Sequence, residues 1–250
     1  MREGAEWEQV VWQILAPIRH GQGTRHLWVG DTGMGKTTAN RQLIDAALKL
    51  PTVAIVLTVD EKDPYEAQYA GTYRINPDAL AASPPGPTES RRHVVFRGVA
   101  VSRNPEQSVS CDSVAQMAWE IVYASDRRQG VILNLDELAD ALIPNSQNWE
   151  GSAIAGAYRK GRSVGISVIA GIQQPQLLPR EAFGLAETMG LFRMDGREAD
   201  YLRQKRVISQ ETAEKLPLLT IGEFILSSKG ERQTGDVLVK VPPPKKEKKS

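Results

Sequence analysis

Hydrophobic positions along the chain follow two periods. Over residues 6–18, Trp7, Val10, Val11, Ile14 and Leu15 recur at helical spacing, which predicts an amphipathic opening helix. His26-Leu27-Trp28-Val29 is a short apolar run that stops at Gly30, the pattern of a strand entering a glycine loop. Residues 37–50 return to helical spacing through Leu43, Ile44, Ala47 and Leu48. Residues 52–58 are β-branched and nearly continuous, as in a strand buried on both faces. Further strands are predicted at 93–97, 130–135, 166–172 and 190–194, with helices over about 113–125 and 152–160. Glu223-Phe224-Ile225-Leu226 and Val237-Leu238-Val239 form a late β-hairpin around Lys229-Gly230. Alternating strands and helices predict an α/β fold: a central, mainly parallel sheet flanked by helices, plus a C-terminal β-hairpin.

Two stretches break this pattern. Residues 63–92 hold Asn76-Pro77 and Pro84-Pro85-Gly86-Pro87, and read as an irregular insertion with one short helix around Pro77 to Ala82. Residues 241–250 form a basic tail that cannot bury apolar surface, expected to be disordered when free. The 250-residue length suits one domain over residues 1–240.

Composition narrows the chemistry. The net charge of +1 gives no global basic field, so contact with nucleic acid must come from local patches. The single cysteine, Cys111, excludes an intramolecular disulfide, and the scattered His20, His26 and His93 lack metal-site spacing. No apolar run reaches the length of a membrane span and no signal peptide opens the chain, so a cytoplasmic location is expected.

The chemistry-bearing motif is Gly30-Asp31-Thr32-Gly33-Met34-Gly35-Lys36-Thr37, a full match to G-x-x-x-x-G-K-[S/T] between a predicted strand and a predicted helix. Its glycines let backbone N–H groups curl around a polyphosphate, and the helix start turns its positive end to that anion. Lys36 is placed to reach the β- and γ-phosphates and the Thr37 hydroxyl to complete a Mg²⁺ shell, with Thr38 following in the helix. The strand at 130–135 then runs into Asp136-Glu137. A parallel strand delivers its carboxyl end to the ligand crevice, where Asp136 suits Mg²⁺ and Glu137 suits a general base for water. The same pair also suits the cap of a following helix, and the two readings are compatible. ATP and Mg²⁺ are the expected ligands, although no motif reads the adenine base.

Downstream, Arg159-Lys160-Gly161-Arg162-Ser163-Val164-Gly165-Ile166 leads into an apolar run ending Gln173-Gln174-Pro175. Leu216-Pro217-Leu218-Leu219-Thr220-Ile221-Gly222-Glu223-Phe224 opens the hairpin. With the phosphate loop and acidic pair in the same order, the chain from about Leu27 to Val239 resembles the FtsK/HerA superfamily of P-loop (RecA-like, ASCE) motor ATPases. With no membrane region, DNA-reading winged helix or amino-terminal barrel, it is most similar to the genome-packaging ATPases of internal-membrane icosahedral viruses.

The resemblance implies a γ-phosphate sensor at Gln173, whose alternative is a strand-end amide capping the turn before Pro175. It implies a trans arginine finger at Arg162 or Arg159, against which stands a solvated basic face. It further implies a homo-oligomeric ring, a hexamer, that moves double-stranded DNA. Arg203-Gln204-Lys205-Arg206 and the lysine tail are candidate DNA, capsid or portal-vertex contacts, or ordinary solubilising charge. A HerA-like helicase, a plasmid-transfer motor, or an ATPase driving protein or phage assembly and secretion are the alternatives.

Overall fold

The computed structural model describes residues 6–60, 92–97, 110–124, 130–138, 152–229 and 236–243. The insertion proper and the lysine tail lie outside these residues, as does the short helix expected around Pro77. Among the described residues, no helix is long and apolar enough to cross a membrane.

Eight strands form one sheet in the order β3-β2-β4-β5-β1-β6-β7-β8. They are β1 (Arg25–Val29), β2 (Val53–Asp60), β3 (Arg92–Arg97), β4 (Gly130–Leu135), β5 (Ile166–Ile172), β6 (Thr188–Phe192), β7 (Glu223–Ser228) and β8 (Val237–Lys240). β1 to β6 are mutually parallel, whereas β7 and β8 add as an antiparallel hairpin on the β6 edge. The mainly parallel α/β sheet with its late hairpin is the architecture expected from the sequence.

Strand parity explains the continuous apolar runs. Leu27, Val29, Val131, Leu133, Leu135, Val168 and Ala170 face one core, against α3 (Cys111–Ala124) and α4 (Ala153–Lys160). Trp28, Val56, Ile132 and Ile169 face the other, against α1 (Trp7–Arg19) and α2 (Lys36–Ala47). Both sides of each central strand are therefore covered, so alternation with polar residues is absent. His26 and His93 are buried fillers, both held neutral by loss of solvent, at pKa values lowered to about 3 and about 4.

Two differences from the sequence reading stand out. The strand expected at 190–194 lies two residues earlier, at Thr188–Phe192. Thr188 joins the ladder opposite His26, its hydroxyl 2.7 Å from the His26 ring, and the Arg193 carbonyl turns away to accept from the Asp31 backbone N–H. Three short helices, α5 (Arg180–Leu185), α6 (Gly196–Gln204) and α7 (Gln210–Lys215), were not anticipated. Each buries only two side chains, too few to set up a periodicity. For α6 and α7 the signals present were the caps: Asp195 accepts from the Arg197 and Glu198 N–H groups, and Ser209 from Thr212 N–H, whereas Pro179 before α5 makes no side-chain cap.

Candidate nucleotide site

The carboxyl ends of β1, β4 and β5 converge on one cavity of about 220 Å³, lined among others by Gly35, Lys36, Thr37, Asp136 and Gln173. Its floor is the loop between β1 and α2. Gly30 and Gly35 have φ of 143° and 108°, in the region where a side chain is strained. Added bulk at Gly30 is also shut out by Phe192 and the Arg193 carbonyl, each within 3.0 Å of where a Cβ would stand. Sequence thus forces the loop to curl, and the curl is what exposes its N–H groups to an anion. Thr32, Gly33 and Thr38 line the same cavity, while Met34 is buried and its carbonyl accepts from Gly222 N–H at 2.9 Å.

Lys36 folds back on the loop, its Nζ donating to the Gly30 carbonyl and, at 2.8 Å, to the Asp31 carbonyl. Both bonds are to neutral acceptors, which a phosphate oxygen outcompetes for an ammonium group.

On the opposite wall a second chain of contacts forms. Glu137 is buried, and its Oε2 accepts from the Gln173 backbone N–H at 3.0 Å. The Gln173 side chain then accepts from the Thr32 hydroxyl at 2.8 Å. The expected base, the expected sensor and the phosphate loop are therefore linked directly. Gly171 makes this possible: a Cβ there would stand 2.2 Å from the Asp136 carbonyl, so only glycine admits the turn that carries the acidic pair across β5.

Arg159 and Arg162 lie elsewhere. They flank the amino end of β5, on the side of the sheet away from the phosphate loop, in a basic hollow with Gln22, Arg25, Lys160 and Ser163. Arg159 is locked to Glu181 by two bonds of 3.0 and 2.9 Å. Arg162 is more exposed, at 45%, and reaches Glu187 at only 3.5 Å. Glu187 is already taken by Arg25, which also donates to the Tyr158 carbonyl at 3.1 Å. Arg203, Lys205 and Arg206 sit at the end of α6, where Arg203 pairs with Asp200 and Lys205 lies 5.5 Å from the Tyr201 ring.

One residue at the site carried no motif. Glu198, in the first turn of α6, meets the Asp31 carboxyl across the loop. Burial pushes its pKa up to about 7, helped by the charges of Asp31 and Asp195 and by the hydrogen bond to Asp31, and opposed by Lys36. Its proximity to the loop arises from the β6–α6 corner, which sequence spacing does not reveal.

No protein-family model matches the chain, and no curated protein sequence does. Solved structures do. The genome packaging NTPase B204 from Sulfolobus turreted icosahedral virus 2, in complex with ATP-gammaS, superposes with a TM-score of 0.67 at 17% identity, covering 89% of this chain and 98% of that one. VirB4 of Thermoanaerobacter pseudethanolicus gives 0.62 at 13% identity, covering 88% and 89%. The bacterial conjugative coupling protein TrwBdeltaN70 gives 0.61 at 13%, covering 95% and 92%. The chain has the P-loop fold these proteins share, as its sequence resemblance implies.

Proposed function

We propose that the protein is an ATP-hydrolysing motor that moves double-stranded DNA as a homo-oligomeric ring, with viral genome packaging as its leading role. The observation that carries this reading is the single cavity where the phosphate loop meets Asp136 and Gln173, with Glu137 bonded to Gln173. The donor set suits magnesium, since the Thr37 hydroxyl and the Asp136 carboxylate are hard oxygen ligands lining the same cavity. Bound there, Mg²⁺ would neutralise charge on the β- and γ-phosphates.

The protein's own groups do the rest. Lys36 exchanges its loop carbonyls for phosphate oxygens, so the loop releases its internal tether as nucleotide enters. Glu137 accepts a proton from the attacking water. Gln173 keeps its amide N–H₂ for the γ-phosphate while its oxygen holds Thr32, so loss of that phosphate is felt by both the loop and the base. Arg162 is the trans finger rather than Arg159, because its two long bonds, to the occupied Glu187 carboxylate at 3.5 Å and to Gln22 at 3.4 Å, cost little to leave. The α6 cations and the basic tail are the candidate contacts to DNA or to a capsid vertex.

The likeness to VirB4 and TrwB favours a second reading, a conjugation-type motor. The test is the steady-state ATPase rate with and without linear double-stranded DNA, with Lys36→Ala as blank. Stimulation absent from the blank supports a DNA motor; an active enzyme indifferent to DNA contradicts it.

A further inference from the structure

From the cavity lining, where Trp28 and Asn40 stand, a row of polar side chains runs into the apolar core between the sheet and α2. Trp28 Nε1 donates to Asn40 Oδ1 at 3.3 Å, and Asn40 Nδ2 to Asn134 Oδ1 at 2.7 Å. Asn134 Nδ2 donates to Thr58 Oγ1 at 2.9 Å, and that hydroxyl lies 2.7 Å from His93 Nε2. All five residues are buried, and Trp28, Thr58 and Asn134 are fully so.

From Trp28 to Thr58 the row has one polarity. An indole N–H only donates, so the Asn40 oxygen must face Trp28 and its amide must face Asn134. The Asn134 oxygen must then face Asn40 and its amide Thr58. The neutral His93 ring closes the row, its tautomer setting which partner donates in the last bond. Each amide is fixed by its neighbour, so the row behaves as one rigid unit.

Its placement gives it a role. Asn40 stands three residues after Thr37, on the same face of α2. Asn134 stands two residues before Asp136, on the same side of β4, and the Asp136 N–H continues the ladder by donating to Val59. β5 lies between β1 and β4, and opposite Trp28 it carries Gly171, which lines the cavity together with Asn40. The Asn40–Asn134 bond therefore joins the two elements that carry Thr37 and Asp136, one turn and one pleat below them.

We propose that Asn40 and Asn134 are positioning residues whose mutual hydrogen bond braces Thr37 and Asp136 at the spacing a nucleotide-bound divalent cation needs. Thr58 and His93 extend that brace to the β3 edge. The inference rests on the functional reading above and deepens it. Groups hydrogen-bonded directly to metal ligands change metal affinity by about 10- to 100-fold when removed. Asn40 and Asn134 act one step back, through the backbone of α2 and β4, so the lower end of that range is the effect expected of them.

The test is calorimetric titration of ADP into the full chain, with EDTA or with rising Mg²⁺. For Asn134→Ala, ADP affinity in EDTA should stay within about twofold of wild type, while the gain on adding Mg²⁺ shrinks about tenfold. Ile132→Ala, two residues earlier on the same face, removes core packing without touching the brace and should keep the full gain. Thr58→Val, a milder change at the next link, should lose about threefold of the gain and carries the test if Asn134→Ala does not fold. An unchanged gain in Asn134→Ala or, if that variant does not fold, in Thr58→Val overturns the brace, as does an equal loss in Ile132→Ala. A wild-type chain that binds no ADP in any condition overturns the functional reading, and the brace with it.

Discussion

The two ends of the parallel sheet are built on opposite plans. At the carboxyl ends of β1, β4 and β5, one chain supplies a loop, a lysine, an acid and an amide around one cavity, and a second acid, Glu137, accepts from the backbone N–H of the amide residue. At the amino end of β5, Arg25, Arg159, Lys160 and Arg162 line one hollow; Arg25 and Arg162 meet at Glu187, and Arg159 pairs with Glu181. The first region needs only a ligand. The second is a cluster of cations, and the arginine proposed to act in trans is one of them.

Breaking the carboxyl end should have the largest effect. Glu137→Gln should bind ATP as wild type does and lose about 10³-fold in turnover, measured by single-turnover hydrolysis beside a binding titration. At the amino end, Arg162→Ala should lower turnover about 10²-fold in the assembled form with ATP affinity within about twofold, whereas Arg159→Ala should cost about threefold. Equal losses for the two arginines would erase the distinction drawn from their ion pairs.

Stability separates the regions further. Glu187→Gln leaves the buried Arg25 guanidinium uncompensated and should cost about 3 kcal/mol, lowering Tm by about 8 °C. The smallest effect belongs to Glu198. Its pKa is raised in the folded chain from 4.5 to about 7, so its stabilising contribution is complete below about pH 4.5. That contribution is lost as pH rises through about 7, when the carboxylate forms beside Asp31 and Asp195. Glu198→Gln should flatten the fall in Tm over this interval by about 2 °C, read by thermal melts across pH. A wild-type Tm that rises over the same range would contradict the carboxyl pairing.

Legibility followed the same divide. The phosphate loop, Asp136-Glu137 and the parallel strands were plain in the sequence, because steric and burial constraints leave few residue types able to fill them. Gln173 was visible through resemblance, but its bonds to Thr32 and Glu137 were not, since they join three separate elements. Asn40, Asn134 and Thr58 looked like ordinary polar residues within a helix and two strands. Only the fold aligns them, as only the β6–α6 corner brings Glu198 to Asp31. The short helices α5, α6 and α7 escaped because each buries only two side chains; caps mark α6 and α7, and α5 has no side-chain cap.

Completion of the site by a neighbouring subunit is tested by mixing two inactive chains, Lys36→Ala and Arg162→Ala. The first lacks a working nucleotide site but offers its arginine; the second keeps the site and lacks the arginine. If the site is finished across a subunit boundary, the equimolar mixture should hydrolyse ATP well above the sum of its parts. A mixture no more active than that sum, or an Arg162→Ala chain that turns over at the wild-type rate alone, would contradict the account.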